Sequence, residues 1–267
     1  MADLTSDTDK LPDYIDPKTD KVHTWPHLVR AEFICGILAT MALTLWSICI
    51  DAPLEEPADP TRTPNPSKAP WYFLGLQEIL VYFDPWMAGV VLPSLIIVGL
   101  MLIPYIDINP KGNGYYTWKE RKFAVGNFCF GFLILWVSLI IVGVFLRGPG
   151  WNFFAPWQEW DPHKVVALTN IDLSYFLADH LGLDILRHPV AEAIMGAVLI
   201  GIYYSTAVIF WKVKSKKSKA LQELGVVRYG ITAFLFLTMM ALPIKMLLRW
   251  TLNIKYIVKF PWINLNI

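Results

Sequence analysis

Side chains that bind haem or metal ions are scarce in this sequence. It has three cysteines, all in apolar runs, and no Cys-x-x-Cys-His motif that would attach a haem covalently. None of the five histidines lies inside a long apolar run, so none is placed to ligate a haem in the middle of a membrane. The sequence therefore predicts no metal site and no covalent haem on this chain.

An excess of charge is missing as well. The 23 basic and 22 acidic residues leave a formal net charge of +1, which argues against binding to nucleic acid through bulk electrostatics. The polar first 26 residues lack a basic segment followed by a short apolar run and a cleavage site. We therefore expect no secretory signal there.

What the sequence has in abundance is apolar length, because 55% of its residues are hydrophobic. A helix that crosses a membrane needs roughly 20 mostly apolar residues. Five stretches meet this requirement, at residues 31–50, 86–105, 123–146, 191–211 and 226–248. The fold class predicted is all-α, a polytopic membrane protein with about five transmembrane helices.

The loops between these stretches predict an orientation. With five spans, the two lysine-rich turns at residues 107–122 and 212–219 fall on the same side, which the positive-inside rule places in the cytoplasm. We therefore expect an inner-membrane protein of a prokaryote with its N-terminus in the cytoplasm and its C-terminus outside. Three basic residues of the C-terminal tail, Arg249, Lys255 and Lys259, oppose this orientation.

The first predicted outer loop contains the segment NPSKAPWYFLGLQEILVYFDPW, which starts at Asn65. Ala69-Pro70 favours a helix start, and the apolar spacing that follows predicts a short amphipathic helix to Asp84 along the membrane surface. Its aromatic side chains can wall a flat apolar ring, and a carboxylate in apolar surroundings, Glu78, suits proton uptake near neutral pH. The alternative from the residues alone is an interfacial aromatic belt with a solvated Glu78.

The run EPADPTRTPNPSKAPWYFLGLQEILVYF resembles the outer loop in the C-terminal half of cytochrome b. That half is a separate chain, subunit IV, in cytochrome bf complexes and in related bacterial quinol:cytochrome c oxidoreductases. FICGILAT is similar to the preceding span of subunit IV, and LIPYIDINP to the end of the following one. The resemblance covers roughly residues 30–146 in order.

The resemblance implies a set of site residues. In the family, a Pro-Glu-Trp-Tyr motif lines the outer quinol-oxidation pocket, and this sequence reads Ala69-Pro70-Trp71-Tyr72. Pro70 occupies the position of the acid that accepts a proton, so Glu78 is the expected replacement, with Tyr72 as the second catalytic residue. The expected quinol-binding residues are Pro70, Trp71, Tyr72, Phe73, Leu74 and Glu78. Phe33 is an expected contact of an inner quinone site.

The resemblance also implies partners. Haem b would be carried by a haem-binding N-terminal half of cytochrome b, and a Rieske iron–sulfur protein and c-type cytochromes would complete a dimeric, lipid-embedded complex that oxidises quinol and releases protons outside. The alternatives are a structural membrane subunit without quinol turnover, suggested by the missing acid, and the cytochrome b module of a nitrate- or nitrite-linked complex.

The expected organisation has four parts. Residues 1–30 form a cytoplasmic lead-in, and residues 31–147 form the module similar to subunit IV. Residues 148–189 form an outer loop rich in aromatic side chains. Residues 190–267 add two membrane helices and a tail.

The topology can be tested with reporter fusions. A fusion at Lys216 is expected to report the cytoplasm and a fusion at Ile267 the outside, because one predicted span separates them. Alkaline phosphatase and fluorescent-protein activities measure this. Finding both positions on one side would show that the number of spans is wrong.

Overall fold

The computed structural model describes residues 15–16, 21–22, 24–51, 54, 57–108, 118, 121–164, 166, 169–260, 262 and 265–267. The chain forms two compact units, one up to Arg62 and one from Thr63 to Ile267.

The first unit contains a small antiparallel pair of strands, β1 (Ile15–Asp16) and β2 (Lys21–Val22), and the long helix α1 (Thr24–Cys49). Threonine hydroxyls inside α1 bond to carbonyls one turn earlier, such as Thr40 to Gly36 at 2.8 Å and Thr44 to Thr40 at 2.8 Å. These bonds satisfy polar groups within the helix itself, as an apolar surrounding requires.

Among its described residues, the second unit contains two short 3₁₀ helices, Pro149–Trp151 and Asp184–Arg187, and six other helices. They are α2 (Leu74–Ile79), α3 (Met87–Ile106), α4 (Lys122–Leu146), α5 (Leu173–Leu181), α6 (Pro189–Lys214) and α7 (Lys219–Leu252). Within the part of the chain that the structure describes, five helices are long and apolar enough to cross a membrane, and they are α1, α3, α4, α6 and α7. The predicted all-α polytopic membrane fold is thus confirmed, with span boundaries that differ by a few residues.

Helix α7 contacts the neighbouring spans of the second unit. Leu235 of α7 lies over Gly99 of α3, and Met239 of α7 lies over Gly131 of α4. The hydroxyl of Tyr203 in α6 donates to a carbonyl of α7 at 2.7 Å. Helices α3, α4 and α6 are therefore gathered around α7.

Helix α2 is shorter than the sequence predicted. The predicted helix extends to Asp84, whereas α2 ends at Ile79 and the chain continues in three-residue turns, with Tyr82 N–H donating to the Ile79 carbonyl at 2.9 Å. The predicted helix length was wrong because the residues after Ile79, such as Tyr82 and Phe83, pack between α4 and α7, against Leu139 and Met246. Tertiary packing, rather than helix periodicity, fixes the backbone here.

The C-terminal strands lie at the same end of the second unit as α2, which we call the site end. Strand β3 (Ile171–Asp172) pairs in parallel with β4 (Ile254–Tyr256), and β5 (Lys259–Phe260) pairs antiparallel with β6 (Leu265–Asn266). Two of the three basic residues that oppose the predicted orientation are held within the fold. Lys259 forms an ion pair with Asp172, and the buried Arg249 donates to the Asn253 carbonyl at 3.2 Å.

The close packing of the C-terminal tail, at Ile257 and Val258, requires glycine at position 196. A Cβ atom at Gly196 would lie 2.7 Å from the Ile257 carbonyl oxygen and 2.9 Å from Val258 Cα, which are backbone atoms that cannot rotate away. We expect Gly196→Ala to lower the free energy of unfolding by ~1–3 kcal/mol. Thermal melting in detergent and proteolysis of the tail measure the effect. Gly201→Ala, in the same helix with no atom within 4 Å, is the control. Equal melting of both variants would contradict the packing.

Candidate functional site

Glu78 is fully buried and forms an ion pair with Arg147. Arg147 Nη2 donates to Glu78 Oε1 at 2.6 Å and Arg147 Nε donates to Oε2 at 2.9 Å, so the guanidinium meets the carboxylate with two parallel bonds. This two-bond geometry is the strongest arrangement that the two side chains can make. It fixes both the position and the rotation of the carboxylate.

Two further side chains complete the shell of Glu78. The indole N–H of Trp151 donates to Oε2 at 3.1 Å, and the hydroxyl of Tyr82 donates to Oε1 at 3.0 Å. Burial, followed by the charge of Glu78, raises the pKa of the Tyr82 phenol, so the phenol remains a donor. Each carboxylate oxygen therefore accepts two bonds, and the buried charge is fully satisfied.

The sequence folds locally so that Arg147 and Trp151 face α2. Arg147 follows the last residue of α4, and its Nη1 donates to the Trp151 carbonyl at 3.1 Å. Gly150 and Trp151 both have positive φ, +66° and +58°, a conformation that is rare for tryptophan. The side chain of Asn65 holds this turn by accepting from Gly150 N–H at 2.7 Å.

The expected setting of Glu78 was wrong. We expected a lone carboxylate in apolar surroundings, or alternatively in solvent, whereas Glu78 is buried and paired with an arginine 69 residues further along the chain. Accepting a proton would remove the charge that balances the buried guanidinium of Arg147. The role of Glu78 as a proton acceptor stays a prediction, and this geometry weighs against it.

The opposite face of α2 borders an open groove. Its volume is about 540 Å³, within the range of small-molecule sites. The residues that line it are Ser67, Lys68, Ala69, Phe73, Leu76, Gln77, Leu80 and Gly89. Four of them recur at the three- and four-residue spacing that puts side chains on one face of a helix. Glu78 is not among them, so α2 has an anchored face and a groove face.

The few polar side chains at the groove include Gln77 and Lys68, which already form hydrogen bonds within the chain. Gln77 Oε1 accepts from Ala69 N–H at 2.8 Å, and Gln77 Nε2 donates to the Ser67 carbonyl at 2.9 Å. Lys68 donates to the Val144 carbonyl at 2.8 Å and lies over the ring of Trp160. These bonds shape the groove from the chain before α2. Among the described residues that line it, none carries a carboxylate or an imidazole.

The expected quinol-binding residues separate into two groups. Trp71, Tyr72 and Phe73 are exposed and in ring contact, with centroids 5.7 Å apart for the first pair and 4.6 Å for the second, and Phe73 also lines the groove. Pro70 is exposed beside them. Leu74 and Glu78 instead point into the chain and are buried. The structure thus brings Phe73 to the groove, leaves Trp71 and Tyr72 exposed in one aromatic cluster with it, and turns Leu74 and Glu78 to the anchored face.

The remaining expectations concern other parts of the chain. Phe33 lies in α1 with its ring 68% exposed, and its role at an inner quinone site stays a prediction. Within the described residues, no three His, Cys, Asp or Glu side chains gather as metal ligands. Sequence reasoning missed Arg147, Trp151 and Gln77. The arginine directly after an apolar span was the available signal, since a buried charge needs a partner.

These features define a class of protein, an integral membrane protein with an amphipathic groove beside an aromatic cluster at one end of its helices. Residues 57–146 match the family of the cytochrome b C-terminal region, b6 and petD. This match confirms the resemblance read from the sequence to the C-terminal half of cytochrome b. The matched range holds α2, the groove, the aromatic cluster and Glu78, and ends one residue before Arg147.

Two curated proteins are similar to the chain. Each is named menaquinol:cytochrome c reductase cytochrome c subunit. The one from Geobacillus thermodenitrificans is 31% identical over 107 residues, and the one from Bacillus subtilis is 32% identical over 109 residues. The matches cover 38% of this chain and 41% and 40% of those proteins, so the chain spans about two fifths of their length. No solved structure matches the chain.

Breaking two ion pairs that have the same N–O distance of 2.6 Å is expected to lower the stability of the protein by different amounts. Arg147→Gln leaves Glu78 buried without its counter-charge, and we expect a loss of ~3–5 kcal/mol of stability. Arg187→Gln breaks the pair with Asp179, where both side chains are at least half exposed, and we expect ~0–1 kcal/mol. Thermal melting of the purified protein compares them. Equal losses would show that the Glu78–Arg147 pair does not hold α2.

Proposed function

We propose that this chain is a membrane subunit of a quinol:cytochrome c oxidoreductase and that the groove beside α2 holds the quinol head group. The observation that supports this proposal most directly is the groove, which has a volume of about 540 Å³ and lies next to three exposed aromatic side chains. A quinol head group is a flat ring with two hydroxyls, which a largely apolar groove with an aromatic side chain in its wall accommodates. The family of residues 57–146 and the names of the two relatives support the same class of reaction.

The groove is open on this chain, so a partner is needed to close it. We propose that the partner is the haem-binding half of cytochrome b, and that it lies over the exposed Trp71, Tyr72 and Phe73. A Rieske protein and a c-type cytochrome would receive electrons on the same side. The haem b of such a complex would belong to the partner chain. A dimeric complex in the inner membrane, with the site end outside, is part of this proposal.

The proton acceptor is where the proposal departs from the expectation for Glu78. Because the described lining of the groove has no carboxylate or imidazole and both Glu78 oxygens are in use, we propose that the quinol proton passes to the partner or to water. Glu78 then acts as a positioning residue that holds the rigid face of α2. Tyr72, exposed beside the groove, remains the candidate on this chain for a hydrogen bond to the quinol.

A structural subunit without quinol turnover is the competing function, since a groove without an acid is also compatible with it. Filling the groove separates the two. Leu80 lines the groove and is 37% exposed, so Leu80→Trp puts bulk into the groove and not into the core. We expect quinol:cytochrome c reductase activity of the purified complex to fall ~10²-fold, the typical cost of misplacing a reactant, while haem content and assembly stay normal.

The control for this variant is Leu181→Trp, an equally large change at an exposed apolar position of α5 away from the groove. Unchanged turnover in Leu80→Trp, with both complexes assembled, would favour the structural subunit.

The variant Glu78→Gln distinguishes the two possible roles of Glu78, proton acceptor and positioning residue. A proton acceptor predicts lost turnover at unchanged melting temperature, whereas a positioning residue predicts a melting temperature lowered together with that of Arg147→Gln.

A further inference from the structure

The end of the second unit opposite to the site end carries a basic turn that joins α6 to α7. Its lysines are Lys212, Lys214, Lys216, Lys217 and Lys219. Among the described residues, none of these side chains forms an ion pair. The turn therefore concentrates positive charge that the described part of the chain does not neutralise. It lies outside residues 57–146, the range matched by the family.

A cavity opens beside this turn. Its volume is about 380 Å³, and it is lined by Trp211, Ser215, Lys216, Gln222, Gly225 and Val226. The indole of Trp211 forms one wall, and Ser215 and Lys216 form another. Val226, which is 66% exposed, adds an apolar surface. Such a mixture of a cation, a hydroxyl and apolar side chains at the end of a membrane span matches a molecule with a charged head and an apolar body.

The backbone builds the cavity. Gly225 has φ +74° and ψ 168°, which interrupts α7 after its first six residues and turns that short segment away from the axis of the span. Gln222 in the segment donates to the carbonyls of Ser215 at 3.1 Å and Lys216 at 3.2 Å, so the turn is tied to the segment. A side chain at Gly225 would be strained, because L-residues rarely adopt this φ.

The aromatic wall is also fixed. The ring of Trp211 packs on that of Tyr229 in α7 with centroids 4.8 Å apart, and the Tyr229 hydroxyl donates to the Ala207 carbonyl at 2.7 Å. Tryptophan and tyrosine at the end of a span typically lie at the level of lipid headgroups. The cavity is thus placed where a headgroup would lie, with its lysine beside it.

We propose that this cavity binds the phosphate headgroup of an anionic phospholipid. Lys216 and Ser215 bind the phosphate, the neighbouring lysines add long-range attraction, and the acyl chains run along the apolar surface from Val226. The Trp211 ring closes the headgroup from the side. This lipid would hold the short first segment of α7 on the membrane surface. The proposal is independent of quinol binding, which concerns the other end of the helices.

The test uses the full chain purified with the subunits that accompany it, stripped of lipid in mild detergent. Native mass spectrometry counts bound phosphatidylglycerol during a titration, with phosphatidylcholine as the zwitterionic comparison. We expect a saturable phosphatidylglycerol adduct that Lys216→Gln weakens about fivefold, the typical contribution of one lysine near an anionic headgroup. Val226→Trp, which fills the cavity, should abolish the adduct. Lys122→Gln, at the other basic turn, should leave it unchanged.

Several outcomes would overturn the proposal. Equal binding of the two lipids would remove the charge selectivity, and equal weakening by Lys122→Gln would show that the attraction is diffuse. Competition by inorganic phosphate at millimolar concentration would identify a free phosphate site instead of a lipid site. Co-purification of an acidic protein that is lost in Lys216→Gln, without any lipid adduct, would assign the lysines to a protein partner. Quinol turnover is recorded in parallel, so failure of one proposal is distinguishable from failure of the other.

Discussion

The ion pair between Glu78 and Arg147 is the interaction on which the site end depends. It joins a six-residue helix, too short to be stable alone, to the end of a membrane span. Because both charges are buried, the pair tolerates little movement, and Trp151 and Tyr82 leave the carboxylate no other arrangement. The rigid face of α2 in turn fixes which residues face the groove.

A second set of contacts holds the segment just after the C-terminal end of the same helix. Tyr82 and Phe83, just after α2, pack with Met246 of α7, and the amide of Asn266 donates to Asp84 at 3.0 Å. Helix α7 and the tail that follows it, both beyond the family-matched range, therefore take part in the site end and are not an appendage. This gives a physical role to the part of the chain for which sequence reasoning had none.

Membrane spans could be predicted from the sequence because each depends on a local property, a run of apolar residues long enough to cross a bilayer. The environment of Glu78 could not, because it depends on Arg147, 69 residues away. The expected site residues, whose roles stay a prediction, divide between two faces of α2 for a different reason. Residues 70–74 were selected as a continuous motif, whereas a helix presents positions 73, 76, 77 and 80 to one groove. Glu78 was chosen because it is a carboxylate, and the helix face on which it lies was not considered.

The sequence distances of these contacts set an order of events during biosynthesis. Residue 78 finds its partner only after residue 147 has been made, and Asp84 finds Asn266 across 182 further positions. Contacts of such long range form late. A ribosome that has produced only the first three spans has therefore inserted the aromatic cluster without its final support. The site end is finished only once the last span has entered the membrane, so a chain arrested before that point exposes Trp71, Tyr72 and Phe73 on an unsupported segment.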